Sequence, residues 1–212
     1  MVIAIDGPAG AGKSTVARAL AERLGFTYLD SGAMYRSVAL AAIRAGIDPD
    51  DAAATTALAE VLDLRVAPGA VAIGAEDVSA AIRTPEVTAA ASRVSVHPGV
   101  RAAMVARQRA LVAAGGWVAE GRDIGTVVCP ESPLKVHLTA SEEERARRRA
   151  ADTGEDHGAV LAAQRDRDAR DRGREHGALE LAAGAVELDT TGLDVAGVVD
   201  RIAAIARERG LA

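Results

Sequence analysis

Aromatic side chains are almost missing from this chain, at 2% of 212 residues, with one Trp, one Phe and two Tyr. Apolar residues still make up 49%, so a sizeable core is available, but it must be built from Ala, Val, Leu and Ile. Such a core suits close packing of helices on a sheet. Cysteine is nearly absent too: Cys129 stands alone, which excludes an intrachain disulfide and fits a reducing compartment. Following the strand-like Val127-Val128, its thiol reads as a small buried apolar group and not as a nucleophile. Long apolar runs are lacking; no window approaches the ~20 residues that span a bilayer. No basic leader precedes the first apolar stretch, so a soluble, cytoplasmic chain is expected. Nor is there an excess of positive charge. A net charge of −5 offers no footprint for nucleic acid or an anionic membrane. The four histidines, His97, His137, His157 and His176, lack metal-ligand spacing. No obvious exposed apolar stripe calls for a second copy, so a monomer is expected.

What is present begins at the N-terminus. The run Val2-Ile3-Ala4-Ile5 leads into Gly7-Pro8-Ala9-Gly10-Ala11-Gly12-Lys13-Ser14 and Thr15. This is G-x-x-x-x-G-K-[ST] in the setting that gives the pattern meaning, a strand before it and a helix after it. Glycines let backbone N–H groups turn inward on a phosphate, and the helix start adds its dipole. Lys13 supplies a charge for the β- and γ-phosphates, and the Ser14 hydroxyl is placed for Mg²⁺. Residues 7–15 therefore predict a nucleoside triphosphate site. Val16, Leu20 and Leu24 mark the apolar face of the following helix, with Gly25 as its C-cap.

Strand-like and helix-like runs then alternate. Thr27–Leu29 precedes a helix near Ala33–Ala45, and Trp117–Ala119 follows one near Val100–Ala114. Leu134–Leu138 precedes a helix opened by Ser141-Glu142-Glu143-Glu144 as a capping box, and Val186–Leu188 precedes a last helix, Val195–Arg209. The alternation predicts an α/β fold with a parallel sheet covered by helices, ligands lying beyond the carboxyl ends of the strands. Residues 62–82, with turns at Pro68-Gly69 and Gly74, read as a small β insertion. Residues 145–174 carry a dense Arg/Asp tract, read at its plainest as a solvated, salt-bridged helical hairpin.

Arginine follows each strand end in turn: Arg36, Arg122, then the 145–174 tract. Its planar fork suits phosphate and a transferring phosphoryl group. More arginines than one triphosphate needs point to an acceptor that carries its own phosphate, hence a nucleoside monophosphate kinase with a closing lid. Another small-molecule kinase and a nucleotide-dependent switch remain as alternative readings. Arg101 and Arg174 could be surface ion-pair partners, Ser92 a plain helix residue, and Asp123 a helix cap.

The chain resembles the bacterial cytidylate kinase family from the first strand to the last helix. The resemblance is carried by Ile5-Asp6-Gly7-Pro8, Leu29-Asp30-Ser31-Gly32-Ala33-Met34-Tyr35-Arg36, Glu76-Asp77-Val78-Ser79 and Ile82-Arg83-Thr84. It continues through Arg107-Gln108-Arg109, Gly121-Arg122-Asp123-Ile124-Gly125-Thr126, Ser141 to Arg149, and Arg167-Asp168 with Asp171 and Arg174. Ala178-Leu179 departs from the Pro-Leu often found there. The resemblance implies a three-layer P-loop fold with a five-stranded parallel sheet and transfer of a phosphoryl group from ATP, with Mg²⁺, to CMP or dCMP. Shikimate-type or UMP/CMP kinases are the near alternatives. It implies a core of residues 1–30, 102–144 and 175–212, a monophosphate-binding region over 31–101, and a lid over 145–174. By position, Ser31, Arg36 and Arg122 would hold the acceptor phosphate, while Ser92, Arg101 and Asp123 would read the cytosine edge. A carboxylate can accept from the 4-amino group that uracil lacks. Arg167, Asp171 and Arg174 would reach the ribose, with Arg165-Asp166 as a second possible register. Arg145, Arg148 and Arg149 would join Lys13 in catalysis.

Overall fold

A computed structural model of the protein describes residues 1–67 and 69–211. Along the chain run β1 (Val2–Asp6), α1 (Lys13–Leu24), β2 (Thr27–Asp30), α2 (Ser31–Arg44), α3 (Ala52–Val61), β3 (Leu64–Ala67), β4 (Ala70–Ile73) and β5 (Glu76–Asp77). They are followed by α4 (Pro85–Val94), α5 (Pro98–Val112), β6 (Trp117–Gly121), β7 (Leu134–Thr139), α6 (Glu142–Thr153), α7 (His157–Arg172), β8 (Val186–Asp189) and α8 (Val195–Glu208). These elements fall into two compact units, residues 1–29 with 114–212, and residues 30–113. Residues 102–113, assigned to the core from the sequence, cluster with the second unit.

The first unit is organised by a five-stranded sheet in the order β2-β6-β1-β7-β8. β1 lies parallel to both β6 and β7, with Val2 opposite Trp117 and Ile3 opposite Leu134, and β8 is parallel to β7. The period of two sends Ile3 and Ile5 of β1 and Leu134, Val136 and Leu138 of β7 to one face. There they meet Val16 and Leu20 of α1 and Val198 and Ile202 of α8 in one apolar cluster, with Leu24 packed at its margin. Tyr28 is the one aromatic among its buried members, so the core is aliphatic, as the composition demanded. Gly25 ends α1 at φ 65°, the left-handed cap position expected of it.

α6 and α7 pack together as a hairpin. The expected capping box is half formed. The Ser141 hydroxyl accepts from Glu144 N at 3.2 Å, but the Glu144 carboxylate turns outward to Arg147 and Arg148 at 2.8 Å each. Two guanidinium partners outcompete one backbone N–H. Val127-Val128 is not a strand: Ile124–Val128 forms a single wide helical turn, with Val128 N donating to Asp123 O and Cys129 N to Ile124 O. Cys129 after it is half-buried, less enclosed than expected.

In the second unit, α2 packs on α4 and α3 on α5. Asp30 caps α2 by accepting from Ala33 N at 2.8 Å, and Thr84 with Pro85 opens α4. The β insertion is an antiparallel sheet β3-β4-β5, with Val66 opposite Val71 and Leu64 opposite Ile73. Pro68 of the expected turn lies outside the described residues. The insertion ends in a helical turn, Ala81–Arg83, where the sequence reading had continued strand.

Candidate active site

The phosphate loop hangs from the carboxyl end of β1, the middle strand of the sheet. Gly7 has φ 149°, and a Cβ there would stand 2.1 Å from the Leu138 carbonyl oxygen, so no other residue fits. Gly12 precedes α1 in the left-handed region at φ 86°, which lets the chain turn from loop to helix. Lys13 is buried, and its ammonium donates to the Pro8 carbonyl at 2.8 Å across the loop. Burial first, and the nearby Arg122 second, push its pKa down to about 7, with Glu120 opposing. The charged form of Lys13 is disfavoured until an anion arrives.

Ser14 and Thr15 are exposed at the start of α1. The Ser14 hydroxyl donates to Glu120 Oε1 at 2.5 Å, and the Tyr28 hydroxyl donates to the same oxygen at 3.0 Å. Glu120 is the penultimate residue of β6, so a hydroxyl and a carboxylate converge at one point beside Lys13. These hard oxygens suit Mg²⁺. The sequence reading assigned Glu120 no role.

Arg122 follows β6 directly. Its Nε donates to Asp171 Oδ2 at 2.7 Å and its guanidinium to the Gly7 carbonyl at 2.9 Å. Asp171 is buried and pairs on its other oxygen with Arg174. Burial works against the Asp171 charge, but Arg122, Arg174 and Arg167 outweigh it and hold the carboxyl below its usual range. Three of the predicted acceptor-side residues thus gather around Asp171. In this tract Arg165 is exposed and paired with Glu142, whereas Val160, Gln164, Asp168 and Asp171 form the buried face of α7.

The lid arginines divide. Arg145 is buried, ion-paired to Asp168 at 2.6 Å, and donates to the Ala9 carbonyl at 2.9 Å. Its guanidinium thereby ties α6 to the phosphate loop. Arg148 reaches the Thr190 hydroxyl and carbonyl at 3.0 and 2.7 Å, and Thr190 in turn donates to the Ala11 carbonyl at 3.3 Å. Its guanidinium lies 3.8 Å from where a Cβ on Gly12 would be. Arg149 is half-buried on the same helix. Thr190, Asp6 and Glu120 were given no role from the sequence, although Asp6 stands in one of the stretches that carry the family resemblance.

In the second unit, Ser31 is buried in the first turn of α2. Arg36, one turn on, is held by Asp30 Oδ2 at 2.7 Å, and Arg83 approaches the same oxygen at 4.0 Å. Ser92 on α4 and Arg101 on α5 are both buried, and the Arg101 guanidinium lies 5.9 Å from the centre of the Tyr35 ring. Arg101 is therefore not a surface residue. In the first unit Asp123 is buried, and its side chain does not cap the turn that follows, so the capping alternative falls away.

The sequence profile of the family described as Cytidylate kinase matches residues 3–208. The chain belongs to the cytidylate kinase family. A protein named cytidylate kinase from Solibacter usitatus (strain Ellin6076) is 49% identical over 216 residues, covering 99% of this chain and 93% of that protein. One from Mycobacterium avium (strain 104) is 48% identical, with 99% of this chain and 96% of that protein covered. A bifunctional pantoate ligase/cytidylate kinase from Synechococcus sp. (strain CC9902) is 49% identical over 98% of this chain, which spans 45% of that longer protein. Among solved structures, a gluconokinase from Sinorhizobium meliloti 1021 has a TM-score of 0.52 at 18% identity, covering 99% of this chain and 93% of that one. An uncharacterized protein from Eubacterium ventriosum ATCC 27560 has a TM-score of 0.58 at 14% identity, covering 98% of each chain. At these identities the structures share the fold, and the family rests on the sequence relatives.

Proposed function

We propose that the protein is an ATP-dependent (d)CMP kinase, converting CMP to CDP and dCMP to dCDP with release of ADP. The observation that carries this reading is the pairing of a full P-loop with a family match over residues 3–208. Loop amides and Lys13 would hold the triphosphate. Mg²⁺, when bound, supplies charge neutralisation at the β- and γ-oxygens, and Ser14 and Glu120 would hold it. Ser31, Arg36 and Arg122 would take the acceptor phosphate, and Ser92, Arg101 and Asp123 the base. Arg167, Asp171 and Arg174 would serve the ribose side, with 31–101 the monophosphate-binding region and 145–174 the lid. An acceptor phosphate oxygen attacks the γ-phosphorus in line, the bond to the β-phosphate oxygen breaks, and ADP leaves. The acceptor is already an anion, so no general base or covalent intermediate is needed. Catalysis is positioning and charge compensation by Lys13, Arg145, Arg148 and Arg149. Small nucleotides are then the partners, with the chain acting as a monomer in the cytoplasm. Among the described residues no helix is long and apolar enough to cross a membrane.

The test is ADP release from MgATP with CMP, dCMP, UMP, AMP and shikimate offered in turn. CMP and dCMP should stimulate strongly, and stimulation by none of the five would sink the kinase reading. Asp123→Ala should erase the preference for CMP over UMP more than it lowers turnover. Lys13→Ala should abolish transfer and leave the circular dichroism spectrum unchanged.

A further inference from the structure

Asp6 is a buried acid that the reaction does not use. It ends β1, with both carboxylate oxygens accepting from backbone: Oδ1 from Ile124 N at 2.8 Å and Oδ2 from Gly125 N at 2.7 Å. Those are the first two N–H groups of the wide turn Ile124–Val128, the donors that a helix start leaves without internal partners. A residue at the turn's own beginning usually satisfies them, yet the Asp123 side chain does not. An acid 118 residues away in sequence does so instead.

The same residue anchors the other end of this segment. In the parallel ladder Asp6 stands opposite Gly121, the last residue of β6. Arg122 and Asp123 are therefore the two residues strung between a backbone register fixed on Asp6 and a turn capped by its side chain. The Gly7 carbonyl, next along the chain, takes the Arg122 guanidinium. We infer that Asp6 is a positioning residue for acceptor recognition, setting the path of Arg122 and Asp123 so that one meets the acceptor phosphate and the other the base. This rests on the reading of Arg122 and Asp123 as acceptor-binding residues.

Keeping an acid here is costly. Burial drives the Asp6 pKa up to about 6, with the neighbouring Asp123 adding to it and the two N–H groups working against it. An amide would avoid that cost, but asparagine offers one acceptor oxygen where two are needed. Its NH₂ would face an N–H, leaving one buried donor unpaired. Double acceptance is what the carboxylate supplies.

Asp6→Asn in the full chain tests this by steady-state kinetics with CMP, UMP and MgATP varied separately. Loss of one buried hydrogen bond predicts a rise of about tenfold or more in KM for CMP and a comparable fall in the CMP/UMP preference. KM for MgATP should hold. Equal changes for CMP and MgATP, or no change in either, would overturn the inference. If Asp6→Asn does not fold, Gly125→Ala decides by the same criteria. Its Cβ would stand 3.3 Å from Asp6 Oδ2 and 3.2 Å from the Ala182 side chain, disturbing the clamp from the other side. Asp123→Ala, run in parallel, separates the two failures. If that variant keeps its CMP preference, the acceptor reading itself is wrong. If it loses the preference while Asp6→Asn retains it, only the positioning role is lost.

Discussion

Lys13 sits where its charge is least welcome, buried and beside Arg122, with a pKa near 7 instead of the usual 10.5. The sign of the consequence follows. At pH 8 the free protein holds this amine mostly neutral, and an arriving triphosphate favours the charged form, so binding takes up a proton. Titration calorimetry of MgATP at pH 8, in buffers of different ionisation enthalpy, should find about one proton taken up per site. Lys13→Arg, charged throughout, should show none, and equal uptake in both proteins would refute the assignment. Below about pH 6 the amine is already charged and the uptake should vanish. That Lys13 belonged to such a site was readable from eight consecutive residues. The bracing of the loop by Arg145 and Thr190 was not, because those contacts join residues 136 and 179 positions apart. Composition shows an arginine; it does not show that Asp168 has already claimed it.

Among elements, the α6–α7 hairpin is stitched by end effects as much as by packing. Gly154 closes α6 at φ 74° with open space where a Cβ would go. Gly154→Ala therefore meets no clash and pays only the left-handed backbone penalty, about 1 kcal/mol. Ser141→Ala removes the N-cap at a similar cost of about 1 kcal/mol. Both should lower hydrogen-exchange protection within residues 142–172 before the rest of the chain. Asp168→Ala is a harsher cut: it strands Arg145 as a buried unpaired cation, at about 3–5 kcal/mol, visible as a lower denaturation midpoint. Where a cap was readable, as at Gly25 and Ser141, the element's end was legible in advance. The wide turn at Ile124–Val128 was not: Val127-Val128 has strand-forming side chains, but Asp6 and the Asp123 carbonyl take the backbone donors first.

At the scale of the whole molecule, the alternation of strand and helix was enough to forecast a parallel sheet, since βα order leaves few topologies. No shift in composition marks the division at Asp30 and Ala113; the boundaries near 30 and 101 were drawn from the family resemblance, not from composition. The sheet's apolar face belongs to the first unit alone, and Ile202 is fully buried within it. Ile202→Ala should cost about 2–5 kcal/mol, with about 2–4 °C of melting temperature per kcal/mol for a chain of this length. The KM for CMP should be unchanged below the transition, because no acceptor-side residue is among the described members of that cluster.

The middle position of β1 also governs how the protein comes into being. β1 is made first, yet its neighbours in the sheet are β6 and β7, so Val2 waits for Trp117 and Ile3 for Leu134. Residues 30–113, by contrast, form an unbroken stretch that contains its own partners. On a ribosome, or in refolding, that stretch gains structure first, since short-range closure outpaces long-range pairing. The strand that carries the phosphate loop stays without sheet partners until more than half of the chain has emerged.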